Sequence, residues 1–356
     1  MKDTVITNEF WKNRRVLVTG HTGFKGGWLS LWLNEMGANV FGYSLAPTLE
    51  NEFYNKVYSN GFIGEEQLSD VTDFNKISDC INTFKPQVIF HLAAQPIVRM
   101  SYAEPLSTFN TNVLGIVNIL EAVRTSSLEL SIVNVTTDKV YANKEWIWAY
   151  REVEELGGDD PYSASKACSE IITHSYRQSF FKNSSVKIAT ARAGNVIGGG
   201  DMSANRLIPD YLRAFKAKDE MVVRNPLATR PWQHVVEPVY GYLQLAEKMS
   251  SIQGHDYTGA WNFGPSGDPV SVSEVINKLS EISHGKKYQL DPNSSLYEAK
   301  SLMLDSVKAR TVLGWKPRLT LDTALKMTFE WFNRSYQNAD MRAFTKSQMQ
   351  VYLAHE

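Results

Sequence analysis

Tyr162 and Lys166 are four residues apart in the segment Tyr162-Ser-Ala-Ser-Lys166, and on a helix this spacing places both side chains on one face. A lysine ammonium near a phenol stabilises the phenolate and lowers the pKa of the phenol. Such a phenolate can take the proton of an alcohol while a hydride leaves the adjacent carbon. The pair therefore predicts redox chemistry at a hydroxyl-bearing carbon, although a surface tyrosine and lysine also occur at this spacing by chance.

A second group of reactive side chains, Thr137-Asp138-Lys139, follows an apolar run that is typical of a buried strand. Oxidation of an alcohol needs only a hydroxyl, such as that of Thr137, to hold the substrate. Elimination of water needs in addition a base for a carbon-bound proton and an acid for the leaving hydroxyl group. Asp138 and Lys139 can supply both, so this segment favours a dehydratase, with an exposed polar turn as the alternative.

A glycine-rich loop lies between a predicted strand at 15–19 and a predicted helix at 24–36. Its residues are Gly20, His21, Thr22, Gly23, Phe24, Lys25 and Gly26. Glycines at such a turn let a pyrophosphate approach backbone N–H groups at the positive end of a helix, so the loop predicts a dinucleotide cofactor. The next strand ends Gly42-Tyr43-Ser44-Leu45, without the acidic residue that holds a ribose, so the loop leaves NAD and NADP open.

Strands and helices alternate through the first two thirds of the chain. Strands are predicted at 15–19, 39–43, 88–92, 130–135 and 186–191, and helices at 24–36, 73–84, 108–125 and 162–181. This alternation predicts an α/β, Rossmann-type, doubly wound parallel sheet. After Gly198 a helix at 206–217 and mixed short elements indicate a smaller C-terminal substrate-binding lobe. We assign 1–197, with segments of 230–265, to the dinucleotide domain and 198–356 mainly to the lobe; the polar tail from Asn338 is expected to be loosely held.

The composition excludes several classes of protein. The 356 residues carry a net charge of -1 and are 43% hydrophobic, which is ordinary for an enzyme and gives no sign of a nucleic-acid or membrane partner. Two cysteines, no apolar leader at the start and no long apolar stretch favour a cytoplasmic protein. No histidine or cysteine spacing predicts a metal site.

These motifs together resemble the extended short-chain dehydrogenase/reductase family, in its nucleotide-sugar 4,6-dehydratase branch, over nearly the whole chain. The matching stretches are residues 19–26, 93–96, 137–139, 160–163, 192–201, 206–209, 230–235, 261–265 and 313–315. The dTDP-glucose enzymes of the branch carry glutamate where this chain has Lys139, so the resemblance is greater to the enzymes that act on CDP-glucose. It implies NAD as cofactor and CDP-glucose as substrate.

The resemblance also implies a role for each reactive residue. Tyr162 takes the proton of the sugar's 4-hydroxyl group, Thr137 holds the 4-oxygen, and NAD accepts hydride from carbon 4. Lys166 lowers the pKa of the tyrosine and holds the nicotinamide ribose. The ketone acidifies carbon 5, so Lys139 removes that proton and Asp138 protonates the departing 6-hydroxyl group before the hydride returns to carbon 6.

Further binding residues follow from the same resemblance. Beyond the glycine loop, the cofactor would contact Asp70, Val71, Leu92, Ala93 and Ala94, together with Tyr162 and Lys166. The nucleotide sugar would contact Gln95, Asn195, Arg206, Arg230 and Asn262. Arginine suits a diphosphate because its planar fork binds two oxygens at once.

Other functions stay open on the sequence alone. Another nucleotide-sugar 4,6-dehydratase or a 4-epimerase would share the fold, and a non-catalytic dinucleotide-binding regulator would be expected to lack Tyr162 or Lys166. The family suggests a homodimer or tetramer that pairs through the helices after Thr108 and Tyr162. It also suggests a place in the synthesis of deoxysugars for bacterial lipopolysaccharide and its O-antigen.

Overall fold

A parallel sheet runs through the centre of the protein. The structure, a computed structural model, describes residues 7–223, 225–285, 288–290, 301–337 and 339–355. The strands of the sheet within these residues are β1 (Arg15–Thr19), β2 (Asn39–Ser44), β3 (Glu65–Leu68), β4 (Val88–His91), β5 (Ser131–Val135), β6 (Lys187–Ala193) and β7 (Gly259–Phe263). Their order across the sheet is β7-β6-β5-β4-β1-β2-β3, so the predicted fold class is confirmed.

Helices cover both faces of this sheet. In chain order they are α1 (Asn8–Trp11), α2 (Phe24–Glu35), α3 (Glu52–Val57), α4 (Phe74–Phe84), α5 (Val98–Ala103), α6 (Pro105–Phe109), α7 (Gly115–Thr125), α8 (Pro161–Ser179), α9 (Leu207–Ala217), α10 (Val236–Met249), α11 (Val272–Ser283), α12 (Leu321–Ser335) and α13 (Met341–Ala354). Among the described residues, none of these helices is long and apolar enough to cross a bilayer.

The central strand β1 shows why the sheet needs helices on both sides. Its Val16, Leu17 and Val18 are fully buried. Because side chains alternate along a strand, Val16 and Val18 pack into the core that includes residues of α2, α10 and α13, whereas Leu17 packs into the core that includes residues of α4 and α7. A continuous apolar run is therefore required, and this explains why the sequence predicted β1 with its correct bounds.

The strand order reverses between the parallel neighbours β1 and β4: β2 and β3 lie on one side of this pair, and β5, β6 and β7 lie on the other. In doubly wound sheets this position opens a crevice at the carboxyl ends of the two strands, and ligands bind there. The ends of the strands are joined by a hydrogen bond of 2.8 Å between Thr19 Oγ1 and His91 Nδ1. Burial lowers the pKa of His91 to about 3, so its imidazole is neutral.

Besides the two cores that flank the sheet, the later part of the chain forms a further apolar core, called the lobe core here. It includes residues of α9, α11 and α12. Short ladders of two residues accompany it. They pair Val196–Ile197 with Gln233–His234, Thr229–Arg230 with Val270–Ser271, and Val222–Val223 with Gln289–Leu290. The division of the chain at residue 197 stays a prediction, and α10 and β7 contribute to the sheet region from the later part of the chain.

The predicted helix at 108–125 is confirmed as part of a longer helical run, in which a π-helical turn, Asn110–Leu114, joins α6 to α7. The expectation of a loosely held tail was wrong. The described tail after Asn338, which itself lies outside the described residues, is not loose, because it forms α13. Met341, Met349 and Tyr352 of this helix are buried against the sheet region, and the Tyr352 hydroxyl donates to Glu237 at 2.9 Å.

A buried ion pair joins α8 to β6. The guanidinium of Arg192 donates from Nε and Nη2 to the two carboxylate oxygens of Glu170 at 2.9 and 2.8 Å, and both side chains are 3% exposed. Burial by itself would raise the pKa of the Glu170 carboxyl, but Arg192 and two threonine hydroxyls outweigh burial and lower it. The carboxylate is therefore charged and fully hydrogen-bonded in the folded protein.

We expect Glu170→Gln to lower the free energy of unfolding by about 3–5 kcal/mol, because it leaves the Arg192 guanidinium buried without a counter-charge. Denaturant unfolding of wild type and variant measures the difference. The matched control is Glu121→Gln, which removes an exposed carboxylate paired with Arg124 at 2.6 Å and should leave stability nearly unchanged. Equal losses in the two variants would contradict the importance given to the buried pair.

Candidate functional site

The glycine loop has the shape that a dinucleotide needs. Gly20 has a φ of +75°, and a Cβ atom there would lie 2.7 Å from the backbone nitrogen of Ala93. A Cβ atom at Gly26 would overlap the carbonyl oxygen of Gly20. Gly23 caps α2 without any side-chain hydrogen bond, so the first N–H groups of the helix point into the turn without a side-chain acceptor. The loop therefore fits a pyrophosphate.

Not every side chain of the loop faces this turn. The ring of His21 is fully buried beside Gly42, and its Nε2 lies 2.8 Å from Glu66 Oε2. Burial lowers the pKa of His21, against the effect of Glu66. The hydroxyl of Thr22 forms a 2.7 Å hydrogen bond with Ser44, so His21 and Thr22 shape the loop through contacts of their own.

The remaining predicted cofactor residues, apart from Phe24 at the start of α2, follow the carboxyl ends of β3 and β4 and have different surroundings. The backbone nitrogens of Leu92 and Ala93 each donate to Thr19 Oγ1 at 3.2 Å, which fixes the strand end before Ala94. Asp70 is exposed, and its Oδ1 accepts from the nitrogen of Thr72 at 2.9 Å. Val71 is buried, and its side chain lies against Gly115. The aromatic ring of Phe24 lies beside Gly198.

The catalytic turn, residues Thr137–Lys139, begins directly after β5. The Thr137 hydroxyl donates to Asp138 Oδ1 at 3.0 Å, and the Lys139 ammonium contacts the same oxygen at 3.3 Å. Asp138 is 1% exposed, and within the described chain its Oδ2 has no hydrogen-bond partner. All three side chains line one cavity together with Tyr162. A buried carboxylate oxygen without a partner costs free energy, so its presence beside the cavity marks Asp138 as a candidate functional group.

Tyr162 is held at the start of α8 by local contacts. The carboxylate of Asp160 caps this helix by accepting from the nitrogen of Ser163 at 2.9 Å, and Pro161 occupies the first helical position. The backbone nitrogen of Tyr162 donates to Ser101 Oγ at 3.1 Å. These contacts come from α5 and from the start of α8, outside the catalytic turn, and they hold the backbone of Tyr162 beside the cavity.

The electrostatics of Tyr162 differ from the sequence-based expectation. Burial raises its pKa to about 12, and a hydrogen bond with Thr137 and the charge of Arg206 oppose that rise. Lys166 was expected to lower this pKa, but its ammonium donates to the carbonyl of Val135 at 3.2 Å, and burial lowers its own pKa to about 8. Thr137 and Arg206 are thus the groups that oppose the rise in the pKa of Tyr162, and the role assigned to Lys166 stays a prediction.

Lys25 also points into the cavity rather than only serving the glycine loop. Burial lowers its pKa to about 7, as do the nearby cations Arg206 and Lys166, while Asp138 and Asp201 act in the opposite sense. Among the described residues, five lysines and arginines and five aspartates line the cavity, so an anionic ligand would be held by individual cations rather than by an excess of positive charge.

The predicted substrate residues divide into two groups. Asn195, Arg206 and Arg230 line the cavity. Arg206 Nη1 contacts Asp201 Oδ2 at 2.8 Å, Arg230 Nη1 donates to the carbonyl of Thr229 at 2.8 Å, and Asn195 Oδ1 is buried without a partner in the described chain. These three side chains therefore converge where a diphosphate and sugar would lie.

Gln95 and Asn262 do not reach the cavity, which corrects their predicted role. Asn262 is fully buried behind the site, and its Nδ2 donates to the carbonyls of Tyr150 and Asp305 at 2.8 and 3.0 Å. The Nε2 of Gln95 donates to Thr108 Oγ1 at 2.8 Å, and its Oε1 accepts from the backbone nitrogen of Ile97. Both amides hold loops of the protein in place.

The sequence analysis missed Arg99 and Asp201, which also line the cavity. Arg99 extends from α5 and approaches Asn205 Oδ1 across the cavity at 3.5 Å, and its buried Nε has no partner within the described residues. The available signal was a single cation within Ile97-Val98-Arg99-Met100, a few residues past the strand end at β4. Asp201 directly follows three glycines, a pattern that predicts a loop and gives no sign that the carboxylate faces a cavity.

We expect Arg206→Lys to raise the KM for a nucleotide diphosphate sugar by about 10- to 100-fold with a smaller change in kcat, because lysine keeps the charge near Tyr162 but loses the planar fork. Steady-state kinetics measure both constants. The control is Arg213→Lys on the same helix, whose Nη1 donates to the carbonyl of Met202 at 2.8 Å. An unchanged KM in Arg206→Lys would remove this residue from the binding site.

Comparison with known proteins gives the family. The family described as GDP-mannose 4,6 dehydratase matches residues 17–328. The chain belongs to this family of nucleotide-sugar dehydratases, within the extended short-chain dehydrogenases/reductases, and is an enzyme. It is 43% identical to the CDP-glucose 4,6-dehydratase of Salmonella typhimurium, over 98% of this chain and 99% of that protein.

Solved structures show the same fold at lower identity. An epimerase from Methanothermobacter thermautotrophicus superposes with a TM-score of 0.80 at 23% identity, covering 98% of this chain and 99% of that one. The UDP-glucose 4-epimerase of Thermus thermophilus, solved in complex with NAD, gives a TM-score of 0.76 at 22% identity over 90% of this chain and 99% of that one. At these identities the superpositions describe the architecture alone.

Proposed function

We propose that the protein is an NAD-dependent CDP-D-glucose 4,6-dehydratase that forms CDP-4-keto-6-deoxy-D-glucose. The observation that carries this proposal is the placement of Asp138 and Lys139 in the lining of the same cavity as Tyr162, with one carboxylate oxygen of Asp138 lacking a hydrogen-bond partner within the described residues. A 4-epimerase needs only the group that moves the proton of the 4-hydroxyl. A second acid–base pair beside it suits the removal of water from the neighbouring carbons.

NAD fits the crevice that begins at the glycine loop. The uncapped N-terminus of α2 and the close packing of Gly20 against Ala93 would hold the pyrophosphate, and Lys166 would hold the nicotinamide ribose. When bound, NAD supplies a hydride acceptor for carbon 4 and returns the hydride to carbon 6. Its re-oxidation within each turnover means that one bound molecule serves many cycles.

The protein's own residues move the protons. Tyr162 takes the proton of the 4-hydroxyl group, and Thr137, hydrogen-bonded to the phenol, holds the 4-oxygen. Lys139 takes the proton of carbon 5, and Asp138 gives a proton to the departing 6-hydroxyl group. These two steps require a neutral Lys139 and a protonated Asp138, and the 3.3 Å contact between their side chains places the two groups beside each other.

The substrate would extend from the catalytic turn to the lobe core, which includes residues of α9, α11 and α12. Arg206, Arg230 and Arg99 surround the region for the diphosphate, and the far end of the cavity is apolar. Its apolar lining includes Met221, Val223, Trp232 and Leu302. CDP-glucose is proposed because the similar Salmonella enzyme at 43% identity carries that name. The 4-keto-6-deoxy product would supply deoxysugars for bacterial surface polysaccharide such as the O-antigen of lipopolysaccharide.

We also propose that two copies pair through the helices on the α7–α8 side of the sheet. Exposed apolar side chains gather on these helices and on α5 and α6, which precede α7. They are Met100, Tyr102, Leu106, Leu114 and Ile171. A patch of this kind on a monomer marks an interaction surface, and a symmetric dimer would cover it with the same residues of a second copy.

Incubation of the purified protein with CDP-glucose, UDP-glucose and dTDP-glucose tests the function. We expect CDP-glucose to be converted fastest into a product lighter by one water, which develops near-ultraviolet absorbance in alkali. A product of unchanged mass with inverted configuration at carbon 4 would instead make the protein an epimerase. Faster dehydration of another hexose nucleotide would keep the reaction and overturn the proposed base preference.

A further inference from the structure

Two hydroxyl groups that flank the catalytic turn bind the same buried ion pair. Thr136, directly before the turn, donates to Glu170 Oε1 at 2.5 Å. Tyr141, two residues after Lys139, accepts at its hydroxyl from Arg192 Nη1 at 2.8 Å. The turn between them is therefore fastened at both ends to the Glu170–Arg192 pair.

We propose that the Glu170–Arg192 pair is a positioning element for the elimination half of the reaction, acting through Thr136 and Tyr141 on Asp138 and Lys139. This inference rests on the proposed function. Neither member of the pair lines the cavity, so neither touches substrate. Their effect on the chemistry comes only through the position of the catalytic turn.

The pair is rigid enough to hold a position. All four contacts of the Glu170 carboxylate lie between 2.5 and 2.9 Å, and they come from Arg192 twice, from Thr136 and from Thr190. A bidentate arginine–carboxylate pair fixes the two planar groups relative to each other. Since both side chains are 3% exposed, water does not compete for these hydrogen bonds.

Tyr141, the second attachment point, is held in place by further contacts of its hydroxyl and its ring. The Tyr141 hydroxyl donates to Asn262 Oδ1 at 2.7 Å, and Asn262 is itself held by two backbone carbonyls. The Tyr141 ring stacks on Tyr150 at a centroid distance of 5.1 Å, and the Arg192 guanidinium lies 4.9 Å from the centroid of the same ring. Asn262, which the sequence assigned to substrate, thus belongs to this supporting network.

The oxidation half of the reaction has a separate support. Tyr162 is placed by the Asp160 cap of α8 and by Ser101, which do not contact the Glu170–Arg192 pair. Oxidation depends on the catalytic turn through Thr137, which hydrogen-bonds the phenol, whereas elimination needs both Asp138 and Lys139. Loosening the turn should therefore slow elimination more than oxidation. A purely structural role of the pair would not separate the two steps.

The test compares Thr136→Val with Thr190→Val. Both threonines are 4% exposed, and each donates one hydrogen bond to Glu170, at 2.5 Å from Thr136 and 2.7 Å from Thr190. Only Thr136 adjoins the catalytic turn. Valine keeps the shape of the side chain and removes the hydroxyl, so stability should fall by a similar amount in both variants.

We expect Thr136→Val to lower formation of the dehydrated product by about 10- to 100-fold, and to lower the rate of single-turnover oxidation of CDP-glucose by a clearly smaller factor. Reduced cofactor should then accumulate, visible by its near-ultraviolet absorbance. Thr190→Val should show no such accumulation, and Tyr141→Phe should resemble Thr136→Val. Equal kinetic effects of Thr136→Val and Thr190→Val, or equal slowing of oxidation and elimination, would overturn the proposal.

A crystal structure of Thr136→Val gives a readout that does not depend on activity. The proposal expects residues Thr137–Lys139 to shift or to become poorly ordered in this variant and to stay in place in Thr190→Val. An unmoved turn in Thr136→Val would overturn the positioning role even if the protein acted on a different nucleotide sugar. Absence of dehydrated product from wild type would instead refute the proposed function.

Discussion

Tyr162→Phe should lower kcat for CDP-glucose by about 10²- to 10⁴-fold, because it removes the group that takes the proton of the 4-hydroxyl while carbon 4 is oxidised. The loss should appear already in the first step, so that no reduced cofactor forms in a single turnover. Binding of the nucleotide sugar should change little, since the phenyl ring keeps the shape of the cavity. Rapid-mixing absorbance measurements and ligand titration measure the two quantities.

The pH dependence of the oxidation step should reflect the same phenol. Burial raises the pKa of Tyr162 to about 12, so the reactive phenolate fraction grows as pH rises, and the oxidation rate should rise with it. The charge of bound oxidised nicotinamide favours the phenolate and brings this rise to lower pH. Tyr162→Phe should lose the pH dependence along with the activity.

Tyr211→Phe is the matched control for this substitution. The Tyr211 hydroxyl is buried and forms a 2.6 Å hydrogen bond with Ser283, and neither residue is among those that line the cavity. Its removal should reduce stability modestly and leave the oxidation rate at the wild-type value. If Tyr162→Phe oxidised the sugar as fast as this control, another base would have to be sought.

Asp138→Asn should stop the reaction halfway. The amide keeps the size of the side chain but cannot give a proton to the departing 6-hydroxyl group, so product formation should fall by about 10²- to 10⁴-fold. Oxidation at carbon 4 depends on Tyr162 and should continue at nearly the wild-type rate. A transient accumulation of reduced cofactor together with unreleased 4-keto-glucose nucleotide is the expected signature, followed by absorbance and mass spectrometry.

A neutralised carboxylate in the same part of the chain serves as control. Glu155→Gln removes one partner of an exposed pair with Lys144, whose atoms are 3.4 Å apart. This variant should dehydrate CDP-glucose normally. Full dehydratase activity in Asp138→Asn would show that the acid lies elsewhere and would reduce the catalytic turn to a structural feature.

The secondary-structure elements that could be predicted are those whose burial or end point is visible in a short stretch of sequence. The strand β1 is an unbroken apolar run because it is buried on both faces, and α2 ends before Gly37, whose φ of +79° suits the end of a helix. The helix α13 was missed because its buried residues, Met341, Met349 and Tyr352, are separated by polar ones. Such a stripe becomes meaningful only when a surface for it to cover is known.

The residues of the candidate site also fall into a group that the sequence could predict and a group that depends on tertiary structure. Thr137, Asp138 and Tyr162 were predicted because reactive side chains stand at the end of a strand and at the start of a helix, where the backbone fixes their direction. An asparagine after a strand has the same sequence pattern whether it faces a ligand or satisfies buried carbonyls, and Asn262 does the latter. Arg99 lies in the cavity only because α5 folds over the strand ends, a tertiary fact that spacing does not contain.

Transfer of a hydrogen isotope within the substrate tests the central claim most directly. CDP-glucose labelled with deuterium at carbon 4 is incubated with the protein and unlabelled NAD, and the position of the label in the product is read by NMR. The account predicts that the label moves to carbon 6 of the 4-keto-6-deoxy sugar while solvent hydrogen enters at carbon 5. Label retained at carbon 4, or lost from carbon 6 to solvent, would contradict it.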